Sequence, residues 1–369
     1  MNKNCIFIAI GGSWTSQARV PSQFRELGIK LSNKDFKVIY IIQGKPDPQL
    51  VSEENVYYWP SKRPTKTIDA IFLYKLIKKY KPSLLITQFA ATNIMLLVGW
   101  LMGVPHRIVW YHTLSKAIED DWRFSKIKLR YLRLRKSLVY RFATCISFVS
   151  NYAQKDFVNT YFKPKVSVIF YNGMEKKEEF RNLPSQETRH VCCVARLDIS
   201  KGQDILIRAF KEVTEKEKEV KLVLIGDGPN KEYLVNLCSK LQLENHVIFE
   251  GSISPDEVID RLRNAYISVL PSRMDNCPLA IIESIGLGIP VIASNVGGIP
   301  EIIRDRVDGF LIPPENSDAL AEKIILLLRN SELANQMSIN ARQRFEEKFE
   351  LTKIINQQAD WFEELLRQN

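Results

Sequence analysis

The chain has 369 residues, 45% hydrophobic and 25% charged, which excludes disordered, collagenous and disulfide-scaffold proteins and suits two globular domains. Its net charge of +10 is uneven: residues 1–180 hold 29 basic and 13 acidic side chains (+16), leaving 23 and 29 (−6) for residues 181–369. The two halves therefore face different electrostatic partners.

The first apolar run, residues 6–10, leads into Gly11-Gly12 without a small-residue cleavage site, so it reads as a strand and no secretory signal is expected. Helical spacing over 22–32, a strand over 37–43, a helix over 68–80 and a strand over 84–87 continue the pattern of a parallel sheet. The apolar stretch 84–101 is interrupted by Thr87, Gln88, Thr92 and Asn93, and predicts a strand and a buried helix rather than a membrane span. A strand over 107–111, a long basic helix, strands over 144–149 and 166–170, and a polar linker over 173–190 follow. A second alternating run starts at the strand 191–195, with further strands at 220–225, 247–251, 267–270, 291–294 and 309–312. Helices are expected over 202–216, 231–241, 254–265, 280–287 and 318–328, and a tail helix over 351–366 that could return to the first domain. The expected architecture is α/β, two doubly wound Rossmann-like domains facing across a cleft, spanning 1–180 and 190–345, with 346–369 as the returning tail.

The six cysteines, Cys5, Cys145, Cys192, Cys193, Cys238 and Cys277, form no C-x-x-C pair and no metal-like spacing with the four histidines. A reducing, cytoplasmic compartment and no structural zinc are expected.

Open parallel sheets bind ligands at the carboxyl ends of their strands, so the loops there are where chemistry is sought. In VCCVARLDISKGQDILIRAF, Arg196 follows a strand and Lys201 stands before Gly202 and a new helix, two cations placed to suit a diphosphate. In LPSRMDNCPLAIIESIGLGIPVIAS, Asp275 and Glu283 lie eight apart across a helix start. The amides of Asn276, Cys277 and Leu279 are expected near that start, with Pro278 in the first turn. Residue by residue, plainer readings stay open: solvated loop charges for Arg196 and Lys201, an N-cap for Asp275, a solvated helix-face carboxylate for Glu283. The turns Gly226-Asp227-Gly228 and Gly297-Gly298 would let a ligand approach the backbone, but neither is a dinucleotide fingerprint.

Taken together, VARLDISKGQDILIRAF, LIGDGP, VIFEGSIS, LPSRMDNCPLAIIESIGLGIPVIAS and GGIPEII, in this order and spacing, resemble the nucleotide-sugar domain of family 4 retaining glycosyltransferases. The first half agrees through KPSLLITQ, MGVPHRIVWYHT, FVSNYAQKDF and VIFYNGM. The resemblance implies a GT-B fold, a nucleotide-sugar donor bound mainly by the second domain, and an acceptor bound by the first. It implies that Arg196 and Lys201 neutralise the donor diphosphate, that Asp275 meets hydroxyls of the transferred sugar, and that Glu283 meets the nucleotide ribose. By the same resemblance Gly12 approaches the phosphates, His112 lies near the reacting sugar, and base selection falls to backbone near Gly251 and Arg273. The first acid of the family's E-x-x-x-x-x-x-x-E motif is usually Glu and here is Asp275, one methylene shorter. No Ser-His-Asp or Cys-His pair supplies a nucleophile, and no D-x-D stands at a strand end. Same-face displacement without metal or other cofactor is therefore expected, the basic pair standing in for the metal's charge.

Residues 122–141 hold Arg123, Lys126, Lys128, Arg130, Arg133, Arg135, Lys136 and Arg141, no acid, and Trp122, Phe124, Leu129, Leu132 and Leu134 interleaved. This basic amphipathic helix suits an anionic membrane surface, with a solvated helix as the plainer reading; nucleic acid is not expected, since no base-reading motif or stacking platform accompanies the charge. A cytoplasmic enzyme, peripheral on the inner face of the membrane and using a glycan or lipid-linked acceptor in surface polysaccharide or lipopolysaccharide assembly, fits these features. A sugar-nucleotide epimerase and a silent nucleotide-sugar-binding relative of the same fold are the alternatives.

Overall fold

The computed structural model describes residues 5–11, 19–44, 55–115, 125–177 and 190–367. The chain divides into two compact units, Met1–Asn172 with Thr352–Asn369, and Gly173–Leu351.

The first unit is built on seven parallel strands among the described residues: β1 (Cys5–Ile10), β2 (Lys37–Ile42), β3 (Val56–Tyr58), β4 (Leu84–Gln88), β5 (His106–Tyr111), β6 (Cys145–Phe148) and β7 (Ser167–Ile169), in the order β3-β2-β1-β4-β5-β6-β7. β1 is buried along its whole length, Cys5, Phe7 and Ala9 facing the helices Thr67–Tyr80 and Thr92–Leu101. A strand covered on both faces reads as a continuous apolar run rather than an alternation, which is why CIFIAI is legible as a central strand. The tail helix Leu351–Arg367 belongs almost wholly to this unit: Phe362 lies near Trp110, Trp361 is edge-on to Phe170 at 5.8 Å, and Lys34 pairs with Asp360 at 2.7 Å.

The second unit carries β8 (His190–Val194), β9 (Lys221–Ile225), β10 (Val247–Gly251), β11 (Ala265–Leu270), β12 (Val291–Ser294) and β13 (Gly309–Ile312), parallel in the order β10-β9-β8-β11-β12-β13. Neighbouring residues of β8 feed opposite faces: Val191 and Cys193 join one apolar core, Cys192 the other. Each fully buried aliphatic side chain contributes roughly 1.5–3 kcal/mol, so two such layers fix the sheet before any loop is considered.

Several boundaries differ from the sequence reading: the helix expected over 22–32 already starts at Arg19, and β3 was not expected. The first unit ends at Asn172, not 180, because Met174 already pairs with the backbone near Glu350: Met174 N donates to Phe349 O at 3.0 Å and Leu351 N to Met174 O at 2.8 Å. The supposed linker therefore begins as part of the second unit, where Arg342 also donates to Lys177 O at 2.9 Å. Residue 265 opens β11 rather than closing a helix, and the helix Ser331–Lys348, absent from the sequence reading, carries the second unit past 345.

Candidate active site

Each sheet has one place where strands are added first to one side and then to the other, and the strand ends there leave room for a ligand. In the second unit it lies between the paired strands β8 and β11. The loop after β8 carries Arg196 and Lys201, and the loop after β11 carries Ser272, Arg273 and Asp275.

Beyond β8 the chain makes a single 3-10 turn, Ile199–Lys201, with Asp198 Oδ1 accepting from Ser200 N at 3.1 Å. Gly202 then adopts φ +69 and opens the helix Gln203–Lys216. A Cβ at 202 would lie 2.0 Å from the Pro271 carbonyl oxygen, so only glycine seats this turn against the end of β11. The outcome is direct: Lys201 Nζ lies 2.6 Å from Asp275 Oδ2, their side chains 26% and 12% exposed. Asp275 also accepts from Ser272 Oγ (3.2 Å) and from the Asn276 amide (3.0 Å). Arg196 stays 67% exposed, and among the described residues its side chain makes a loose ion pair with Asp198 at 3.7 Å.

A second tie joins the same turns. Arg273 N donates to Ser200 O at 2.8 Å, and its guanidinium donates to Ile199 O at 2.7 Å and to both oxygens of Asp204 at 2.8 Å, with Glu315 closing the remaining side. The Asp204 hydrogen bonds hold the guanidinium firmly protonated. Burial pushes the Asp204 carboxyl up, but Arg273 outweighs it and leaves the group below the ordinary carboxylate range.

The donor-side expectations need four corrections. Pro278 is the residue before the helix Leu279–Gly286, in extended conformation, not in its first turn; Asp275 is consequently no N-cap. Glu283 is 3% exposed, which removes the solvated-face reading. The Asn276 amide is already bonded to Asp275, while Cys277 is buried behind it. Finally, the glycine turns admit the protein's own backbone rather than leaving room for a ligand. A Cβ at Gly226 would lie 2.1 Å from Ala195 O, at Gly228 2.3 Å from Leu197 O, and at Gly297 (φ +59) 1.7 Å from Asp275 O. Gly226 and Gly228 seat the loop after β9 against the one that holds Arg196, and Gly297 seats the loop after β12 against the one that holds Asp275. Gly251, at the end of β10 with φ +74, does face open space.

In the first unit the switch lies between β1 and β4, where Gly11, Gln88, Phe89 and, from β5, His112 come together. Gln88 Oε1 is 2.9 Å from His112 Nε2, a hydrogen bond that fixes the ring's orientation. Phe89 lies nearly parallel to the imidazole, centroids 5.1 Å apart, and stands at φ +52, a backbone cost on the order of 1–3 kcal/mol for a bulky residue. Gly11 permits it, since a Cβ there would lie 2.7 Å from the Phe89 ring. Burial pushes the His112 imidazole down to about 4. With the folded value below the unfolded one, stability is full above the unfolded value of about 6.5 and declines as pH falls toward 4. NMR of the wild type against His112→Asn is expected to show no titration of this ring between about pH 8 and 5; a midpoint near 6.5 would contradict the lowered value.

Gly12 and Arg123 lie outside the described residues. The basic helix runs over Lys126–Tyr140 and is capped by Ser125. Leu129 and Leu132 are half-buried against the unit, but Ile127 (81% exposed), Tyr131, Leu134 (71%) and Leu138 form a second apolar stripe at three- and four-residue spacing on the outer side. Lys126, Lys128, Arg130, Arg133 and Arg135 are exposed around it; Lys136 is half-buried, and burial lowers its amine. The neighbouring helix Thr92–Leu101 presents exposed Leu97, Trp100 and Leu101. No helix among the described residues is long and apolar enough to cross a membrane, and all six cysteines are free and buried.

Two family descriptions match the chain: Glycosyltransferase Family 4 over residues 21–177 and Glycosyl transferases group 1 over 174–344. An uncharacterized glycosyltransferase of Methanocaldococcus jannaschii is 30% identical over 272 residues, 72% of this chain and 70% of that protein. The N-acetyl-alpha-D-glucosaminyl L-malate synthase of Bacillus anthracis is 31% identical over 169 residues, 46% of this chain and 43% of that protein. The chain spans about half the length of the first curated relatives it matches. Among solved structures, sucrose-phosphate synthase from Thermosynechococcus elongatus superposes with a TM-score of 0.81 at 20% identity over 100% of both chains. HepE of Anabaena in complex with UDP gives 0.78 at 20% identity over 98% of this chain and 100% of that one. The fold is thus GT-B, two Rossmann-like α/β units. The chain belongs to the group 1, family 4 glycosyltransferases.

The structure places Arg196, Lys201 and Asp275 at the ends of β8 and β11 and buries Glu283 in the helix that follows; the sequence reading missed Arg273 as a side-chain clamp, its partner Asp204, and the Gln88 and Phe89 supports of His112. KPSLLITQ ends in a polar residue at the close of an apolar strand, and that was the available signal for Gln88.

Proposed function

We propose that the protein transfers a hexosyl group, with retention of anomeric configuration, from a nucleoside diphosphate sugar to a glycan or lipid-linked acceptor, in surface polysaccharide or lipopolysaccharide assembly at the cytoplasmic face of the membrane. The observation that carries the reading is Lys201 beside Asp275 at the strand ends of β8 and β11, with Arg196 exposed alongside. The bond from the anomeric carbon to the diphosphate oxygen breaks as the acceptor oxygen attacks from the same face, and the acceptor's proton passes to the departing phosphate. Lys201 and Arg196 stabilise the charge that develops there, which makes metal unnecessary. Asp275 holds hydroxyls of the moving sugar, and Glu283, kept out of water, gains more from a ribose hydroxyl pair than a solvated acid would. The UDP bound by HepE supports a donor of this class.

The exposed cations and the outer apolar stripe of Lys126–Tyr140 support an anionic bilayer as the surface on which a lipid-linked acceptor is met, each cation near the leaflet contributing about 1 kcal/mol. Melting curves with UDP, GDP and ADP, with magnesium or EDTA, test the donor: one nucleotide is expected to stabilise the protein equally in EDTA, and no shift with any of them would overturn the reading. Co-sedimentation with phosphatidylglycerol vesicles tests the surface, binding being lost with Leu134→Glu and absent on neutral vesicles.

A further inference from the structure

At the strand ends of β8 and β11 the residue assigned to the diphosphate and the residue assigned to the sugar are bonded to each other. Lys201 Nζ and Asp275 Oδ2 are 2.6 Å apart, partly shielded from water, while among the described residues Arg196 has a loose ion-pair neighbour at 3.7 Å. A diphosphate entering here meets a cation that already holds an anion. The pair can open without the loops parting, because other bonds keep the two turns together: Arg273 N to Ser200 O, the Arg273 guanidinium to Ile199 O and Asp204, and the close seating of Gly202 on Pro271 O. Asp275 likewise keeps its place when Lys201 leaves, since Ser272 Oγ and the Asn276 amide donate to it and the Gly298 amide donates to its backbone carbonyl at 3.1 Å.

We propose that Asp275 stands in for the donor diphosphate on Lys201 before the donor binds, so that donor binding exchanges one anion for another as the ammonium swings from the carboxylate to the phosphate, and frees Asp275 for the sugar hydroxyls. This rests on the glycosyl-transfer reading above. The exchange links the two halves of donor recognition: a nucleoside diphosphate alone pays for opening the pair and gains nothing from the released acid, whereas the complete nucleotide sugar uses both groups. The site thereby discriminates against its own nucleoside diphosphate product.

The consequence runs opposite to that of an ordinary binding residue. Asp275→Asn keeps the size and the oxygen that accepts from Asn276 but removes the competing charge. Calorimetric titration of UDP and GDP is expected to show the nucleotide that binds the wild type binding the variant about three- to ten-fold more tightly. Transfer from the corresponding nucleotide sugar falls, because the sugar loses its acid. Asp275→Ser is expected to repeat the tighter binding should the amide misfold the loop. Asp198→Asn removes an equal charge beside Arg196, where the contact is loose, and is expected to change affinity less than two-fold. Unchanged or weaker nucleotide binding by Asp275 variants of wild-type melting temperature overturns the exchange and leaves the donor assignment intact. An equal gain with Asp198→Asn also overturns it, since the effect would then be net charge alone. A wild type that binds neither UDP nor GDP overturns the donor assignment and the exchange together.

Discussion

Lys201→Ala is expected to lower sugar transfer by about two to three orders of magnitude, the usual cost of removing one preorganised group aimed at charge that develops in the transition state. The turn that carries the ammonium is held in place through Ser200 O and Ile199 O whether or not the 2.6 Å contact with Asp275 is made. On the proposed reading that backbone needs no reorganisation when the diphosphate departs. Stability changes far less, by about 1 kcal/mol, because Asp275 retains Ser272 and the Asn276 amide as donors. Lys201→Arg restores charge without the same reach and is expected to recover only part of the rate. Arg196→Ala, at an exposed and loosely engaged side chain, is expected to cost about tenfold or less in kcat/KM. Release of nucleoside diphosphate from the donor measures all three. A Lys201→Ala enzyme within a few-fold of wild type would remove the diphosphate role.

What was legible depended on how each signal is written in the chain. β1, β9 and β12 are buried on both faces and announce themselves as apolar runs. β3 is three residues long and half-buried, too short for any periodicity to show. The helix Ser331–Lys348 does bury Ala334, Met337, Ser338, Ala341, Arg342 and Phe345, but two of these six are alanines and two are polar, which mutes the contrast with the outer face. At the candidate site, Arg196, Lys201, Asp275 and Glu283 were singled out by motif spacing. Their partners were not, since Lys201 meets Asp275 across 74 positions and Arg273 meets Asp204 across 69, and both contacts exist only because β8 and β11 are neighbours. Burial of Glu283 is a property of the packed sheet and helix, and no pattern local to ESIG announces it.

Arg273→Met is expected to destabilise the second unit by about 2–3 kcal/mol, most of it from the Asp204 arm. That arm is bidentate, with both distances at 2.8 Å and side chains 26% and 17% exposed, whereas Glu315 is largely solvated and contributes little. Methionine fills the stem's volume but leaves Asp204 enclosed without its cation, and burial then acts on the carboxyl unopposed. The pH dependence identifies the mechanism. In the wild type the Asp204 carboxyl lies below its ordinary value, so its contribution is complete above about pH 4 and is lost as pH falls through the folded value. In the variant the carboxyl moves the other way and accepts a proton more readily when folded. The stability gap between the two proteins is therefore widest near neutrality and narrows below about pH 4, as urea denaturation at several pH values will read. Arg273→Lys recovers little, because an ammonium cannot reproduce the fork that reaches Asp204 and Ile199 O together. Asp204→Leu combined with Arg273→Met is expected to recover much of the loss, since an apolar pair leaves no enclosed charge. Nucleotide affinity is not recovered in that double variant: the guanidinium bond to Ile199 O remains missing, and the Lys201 turn is no longer pinned beside Asp275 from that side. A stability change below about 0.5 kcal/mol for Arg273→Met, or a gap that is flat with pH, would show that the clamp is not what holds these two loops together.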